Sequence, residues 1–136
     1  MKQLVVDASV IVKWVIPHRA EERKTDRALS ILHRVRASEI TVHQPPHWLA
    51  EVSGVLTRVS PETVLDDIVD LYEMNFDVCD TLELYIKASE LAADLNQHLF
   101  DTLYHAVAVT LADAVFITDD QRYFRKAERI GHIELL

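Results

Sequence analysis

Asp7, Glu51, Asp101 and Asp120 lie at or near the ends of apolar segments in four separate parts of the chain. Carboxylate oxygens are the hard donors a divalent cation such as Mg²⁺ takes, and four of them gathered in one place would make a metal site suited to phosphodiester cleavage. Each also has a plainer reading. Asp7, Asp101 and the pair Asp119–Asp120 suit helix N-caps or first turns, where a carboxylate accepts backbone N–H bonds and faces the positive end of the helix dipole. Glu51, taken alone, reads as an exposed helical residue.

Other chemistries are poorly served. Only two glycines occur, Gly54 and Gly131, so neither a phosphate-cradling P-loop nor a G-x-G-x-x-G dinucleotide turn is present. Asp7-Ala8-Ser9 is not the Asp-x-Asp pair of an aspartyl phosphatase, and there is no G-x-S-x-G elbow for a serine hydrolase. Seven histidines are scattered without an H-E-x-x-H helix, which does not indicate zinc. Cys79 is the single cysteine, which excludes an intramolecular disulfide and a multi-cysteine zinc motif; packing on a buried strand is its expected role.

The elements that must position the acids alternate in type. Gln3 to Val6 reads as a short buried strand ending at Asp7, and Ala8 to Val15 as a helix stopped by Pro17. Glu21 to Val35 carries apolar residues at helical spacing, Ile40 to His43 is a second strand, and Pro45-Pro46 breaks the chain before a helix holding Trp48, Glu51 and Leu56. Ser60-Pro61 predicts the next helix start, with serine as N-cap and proline first in the helix. A strand at Phe76 to Cys79 precedes a helix capped by Thr81, and Asp101 opens a helix from Thr102 to Ala112. Ala114 to Thr118 is a fourth strand, Gln121 to Arg129 a short basic helix, and His132 to Leu135 a last strand. Strands that are continuously apolar rather than alternating predict an α/β fold, a mostly parallel sheet covered by helices on both faces. In such sheets ligands bind outside the carboxyl ends of the strands. Asp7 and Asp120 follow strands directly, whereas the arrival of Asp101 and Glu51 at that edge depends on packing.

A chain of 136 residues, 49% of them hydrophobic, fits a single domain spanning 1–136. No apolar run is long enough to span a bilayer, and the N-terminus shows no apolar stretch before a cleavage site, so no membrane contact and a cytoplasmic location are expected. The formal charge of −8 hides an uneven distribution. Lys13, Arg19, Arg23, Lys24, Arg27, Arg34 and Arg36 crowd one early segment, and Arg122, Arg125, Lys126 and Arg129 form a late cluster. These are either solvated helix faces or a phosphate-contacting rim around an acidic centre whose bound cations reverse the local field.

Val5-Val6-Asp7-Ala8-Ser9, Glu51-Val52, Asp101-Thr102-Leu103-Tyr104-His105-Ala106-Val107-Ala108 and Phe116-Ile117-Thr118-Asp119-Asp120 resemble, in this order and over essentially the whole chain, the PIN-domain family, and within it the toxin ribonucleases called VapC. The resemblance implies a three-layer α/β/α sandwich around a central, mostly parallel sheet, with an acidic pocket that binds Mg²⁺ or Mn²⁺ and cleaves RNA. It carries the family's first acid onto Asp7, the helical acid onto Glu51, the third onto Asp101 and the fourth onto Asp120, with adjacent Asp119 able to substitute or assist. Ser9 and Thr118 match small hydroxyl positions that orient a ligand or carboxylate. Gly54 departs from the pattern, standing where many members have asparagine three residues after the helical glutamate.

Hard-cation chemistry then assigns roles: Asp7, Asp101 and Asp120 as principal metal ligands, directly or through water, and Glu51 as a further ligand or the base that orients a water. His105, one helical turn after Asp101, is expected to pack or hydrogen-bond rather than ligate, and Trp14, Trp48, Tyr104 and Tyr123 are expected mainly in the core. The resemblance further implies a toxin restrained by a cognate antitoxin, and a homodimer. The rivals are a stand-alone PIN nuclease in RNA processing and an inactive PIN-like module that binds protein.

Overall fold

The structure, a computed structural model, describes residues 2–16 and 23–136 in full and the backbone of residue 22. The expected stop at Pro17, the start at Glu21 and the cation Arg19 lie outside the described residues. In chain order the elements are β1 (Lys2–Val6), α1 (Ala8–Val15), α2 (Glu22–Arg36), β2 (Ile40–Gln44), α3 (Trp48–Val59), α4 (Val64–Glu73), β3 (Asp77–Val78), α5 (Leu82–Leu95), α6 (Leu99–Leu111), β4 (Ala114–Thr118), α7 (Gln121–Ala127), a 3₁₀ turn at Glu128–Ile130 and β5 (Ile133–Leu135).

The strands form one sheet in the order β3-β2-β1-β4-β5, and every neighbouring pair is parallel. Central β1 has Leu4, Val5 and Val6 buried, and neighbouring β4 is more apolar still, because helices cover both faces of the sheet. Helix α1 packs on both α2 and α3, and α3 on α4, with α1 against β4 and α2 against β2. On the other side α6 lies over β1, β2 and β4, with α5 packed along it. This is the three-layer sandwich expected. The order reverses direction at β1, so β1 and β4 flank the switch point, and the chain leaves them at Asp7 and at Asp119.

Two helix starts differ from the expectation. Ser60 does not cap α4. Its N–H closes the end of α3 on Leu56, its carbonyl accepts from Thr63 N–H, and residues 61–63 make a turn before the helix begins at Val64. The missing N–H of Pro61 suits that turn as well as it would suit a helix. Helix α6 begins at Leu99 rather than Thr102, because the His98 carbonyl accepts the N–H groups of both Asp101 and Thr102; Asp101 therefore sits within the first turn. Thr81 does cap α5, its hydroxyl accepting from Leu84 N–H at 3.2 Å. Strand β3 is only two residues long, and Cys79 lies just past it, partly buried against the core, with its N–H on the Gln44 carbonyl.

Candidate active site

At the end of β1, Gln44 grips the strand. Its side chain, fully buried, accepts from Val6 N–H at 2.9 Å and donates to the Val6 carbonyl at 2.8 Å, continuing the β1–β2 ladder with amide atoms where backbone pairing has stopped. Asp7 follows, its N–H on the Ile117 carbonyl of β4. It is the residue before α1, yet its carboxylate does not cap that helix. Ser9 and Thr118 hydroxyls both donate to its Oδ2, each at 2.8 Å. Burial pushes the Asp7 carboxyl up from 3.8 to about 6, against those two hydrogen bonds, and the charge of Glu51 pushes the same way.

Asp7, Asp101, Thr118 and Asp120 line one small concavity floored by Phe116 and Tyr123. Asp101 is delivered by the first turn of α6 and held by the Gln97 side-chain amide, which donates to its Oδ2 at 2.8 Å; Gln97 in turn accepts from Lys126 at 3.0 Å. Asp120 caps α7 by accepting Tyr123 N–H at 2.9 Å, and its own N–H is bonded to the Thr118 hydroxyl. Capping thus holds for Asp120 without removing it from the concavity.

Glu51 stands just outside this lining, on α3, one-third exposed and 3.4 Å from the His47 ring. Its charge nevertheless bears on Asp7 and on the Tyr104 hydroxyl. The Tyr104 hydroxyl is buried without a well-formed hydrogen bond. Burial, then the charges of Glu51, Asp7 and Asp101, drive its pKa far upward. Burial followed by Asp101, Asp7 and Asp120 does the same to Tyr123. Each of the two buried phenols thus feels three of the four acids, with Asp7 and Asp101 common to both.

Asp119 points elsewhere. Lys13 reaches its Oδ2 and Lys24 its Oδ1, each at 2.8 Å. Burial disfavours its charge, but these two partners outweigh that and hold the carboxyl below its ordinary range. Its N–H donates to the Ser9 hydroxyl, which links it to Asp7.

His105 is wholly buried, with Nδ1 2.9 Å from the Tyr123 hydroxyl and Nε2 2.7 Å from the Gly131 carbonyl. The carbonyl fixes Nε2 as the donor, so Nδ1 accepts from Tyr123, and burial lowers the pKa of the ring. It is a packing and hydrogen-bonding histidine. Trp14, Trp48, Tyr104 and Tyr123 are likewise core residues. Gly54 is exposed on α3, with open space where a Cβ would stand.

The donor set suits a hard divalent cation: carboxylate oxygens only, one of them with its pKa raised by burial and by a neighbouring acid, beside a buried hydroxyl without a good partner. Among the described residues, no three acid, histidine or cysteine side chains already stand at metal-binding spacing. Binding would therefore draw the acids inward or run through water.

Sequence reasoning missed Gln44, Gln97 and the Lys13–Asp119–Lys24 group. Only Gln44 left a local trace, a polar residue ending an apolar strand just before Pro45-Pro46.

The sequence profile of the PIN domain matches residues 4–130. The chain belongs to the PIN-domain family. PIN domains are generally nucleases and generally use divalent metals. Among solved structures, VapBC2 from Rickettsia felis, bound to a DNA fragment from its promoter, is similar with a TM-score of 0.65 at 16% identity, over 98% of this chain and 97% of that one. PAE2754 from Pyrobaculum aerophilum is similar with a TM-score of 0.64 at 16% identity, over 93% of this chain and 86% of that one. Identities this low speak for the fold. No curated protein sequence matches significantly. In this PIN domain, no helix among the described residues is long and apolar enough to cross a membrane.

Proposed function

We propose that this PIN domain is a divalent-metal-dependent endoribonuclease, the toxin of a toxin–antitoxin pair. The observation that carries the nuclease reading is the gathering of Asp7, Asp101 and Asp120 in one concavity, with the charge of Glu51 reaching Asp7 and Tyr104.

Asp7, Asp101 and Asp120 would hold Mg²⁺ or Mn²⁺. The ion supplies Lewis acidity that lowers the pKa of a water and offsets negative charge on the phosphate. The protein's own groups do the rest. Ser9 and Thr118 fix Asp7 Oδ2, leaving the carboxylate a single orientation. The Gln97 amide orients Asp101, and the cap on Tyr123 N–H orients Asp120. Glu51, one-third exposed and outside the lining of the concavity, is placed to take the proton of the attacking water as its oxygen bonds to phosphorus and the bond to the leaving oxygen breaks. Asp119 has both oxygens on lysines and serves as their counter-ion rather than as a fourth ligand.

The likeness of fold to VapBC2 supports an antitoxin partner over a stand-alone enzyme. Exposed apolar side chains, Leu65, Val69 and Tyr72 on α4 and Leu82 and Ile86 on α5, provide surfaces for such a partner and for a second copy of the chain. The test is digestion of a defined RNA pool with Mn²⁺, with Mg²⁺ and with EDTA. Metal-dependent cleavage that Asp7→Asn and Asp101→Asn both abolish is expected. Cleavage that survives EDTA, or survives Asp101→Asn, rules the mechanism out, and absence of any Mn²⁺ binding by calorimetry returns the chain to a protein-binding role.

A further inference from the structure

The three charges outside the pocket have an arrangement that fold maintenance alone does not call for. One carboxylate, Asp119, holds two ammonium groups, one on each oxygen, so the group carries a net charge of +1. Lys13 comes from α1 and Lys24 from α2, and their side chains are only 14% and 23% exposed. Two long side chains have thus already given up most of their rotamer freedom, a cost that a ligand arriving there does not have to meet again. The group abuts the pocket: Asp119 N–H reaches the Ser9 hydroxyl at 3.2 Å, that hydroxyl holds Asp7, and Lys13 also donates to the Ser9 carbonyl at 3.3 Å.

A phosphodiester presents what Asp119 presents, two unesterified oxygens sharing one negative charge. A chain of net charge −8 with acids at its pocket repels a polyanion unless cations meet the strand close by. Arg27, the next cation along α2 after Lys24, is engaged with the Leu135 carbonyl and Glu134 at the end of β5, whereas Lys13 and Lys24 gather on Asp119, whose N–H meets the Ser9 hydroxyl that holds Asp7.

We propose that Lys13 and Lys24 form the seat for a backbone phosphate of the RNA strand beside the carboxylate pocket, and that Asp119 holds the place of that phosphate in the free protein. This rests on the ribonuclease reading of the pocket. When the strand arrives, its phosphate oxygens take over the ammonium groups and the Asp119 carboxylate yields them. Lys13 and Lys24 are then positioning residues that set which linkage lies over the acids.

Binding of a fluorescently labelled single-stranded RNA oligomer, followed by anisotropy over a range of salt concentrations with Ca²⁺ in place of Mg²⁺ to hold off cleavage, tests this directly. Lys13→Gln and Lys24→Gln are each expected to weaken binding several-fold and to flatten the plot of log affinity against log salt by about 0.7, the double variant by about 1.4. Asp119→Asn, with its competing charge removed, is expected to bind RNA several-fold more tightly. The proposal is overturned if the double lysine variant keeps the wild-type affinity and salt slope, if Asp119→Asn binds RNA more weakly, or if Asp119→Asn loses affinity for Mn²⁺. Intact, metal-dependent cleavage by a protein whose RNA binding ignores both lysines sinks this seat alone. Wild-type protein that neither binds nor cleaves RNA sinks the ribonuclease reading with it.

Discussion

Asp7 is asked to do two opposed things, to stay folded beside buried apolar strands and to offer a charge. Its carboxyl titrates at about 6 in the folded protein against 3.8 ordinarily, so between those values the fold keeps a proton that the unfolded chain has released. The metal-free protein therefore loses stability as pH rises through that window, by up to about 3 kcal/mol for a shift of roughly two units. Urea unfolding of EDTA-treated protein between pH 4 and pH 8 measures it. Asp7→Asn, whose amide oxygen can still accept from Ser9 and Thr118, is expected to abolish the slope and to be more stable than wild type at pH 7 while losing cleavage. A variant as pH-dependent as wild type would place the burial penalty on another group.

At the scale of elements, the sheet edge is held by side chains acting as backbone. Gln44→Ala strips two buried partners from Val6 and is expected to cost about 2–3 kcal/mol, read by urea unfolding, together with a loss of Mn²⁺ affinity because Asp7 is the next residue. Gly54 sits in the interior of α3 with open space at its Cβ position. Gly54→Ala should therefore raise stability by about 0.5–1 kcal/mol, and a destabilised variant would mean that α3 needs the glycine for a partner or strand not bound here. The strands were legible from the sequence because continuous apolar runs such as Leu4 to Val6 can only be buried on both faces, and the Thr81 cap because it acts over three residues. The Ser60 cap misled because the same pair of residues also suits a turn. The pairing of Lys13 with Asp119 spans 106 residues and that of Gln44 with Val6 spans 38, and no local pattern encodes a partner so far away. The four acids could be named in advance by their place after apolar segments and by resemblance. That Asp119 would turn to lysines while Asp120 capped α7 was settled only by packing.

For the molecule as a whole, the proposed function has metal and proton competing for the same carboxylates. Mn²⁺ at about a hundred times its dissociation constant should raise stability by about 2.7 kcal/mol, and thermal melts should show a larger gain at pH 7 than at pH 5 and almost none in Asp7→Asn. The acids come from two sides of the sandwich, Asp7 and Glu51 with α1 and α3, Asp101 and Asp120 with α6 and α7. The second pair is braced from below: His105, one turn along α6 from Asp101, bears on Tyr123, whose N–H carries Asp120, and on the Gly131 carbonyl. That imidazole works as a brace between α6 and α7, the two helices that carry Asp101 and Asp120. Shortening it should retune which radius is admitted: His105→Asn is expected to shift the ratio of Ca²⁺ to Mn²⁺ dissociation constants toward the larger ion, making a fully buried ring with no contact to any ligand the part of the protein that chooses its metal.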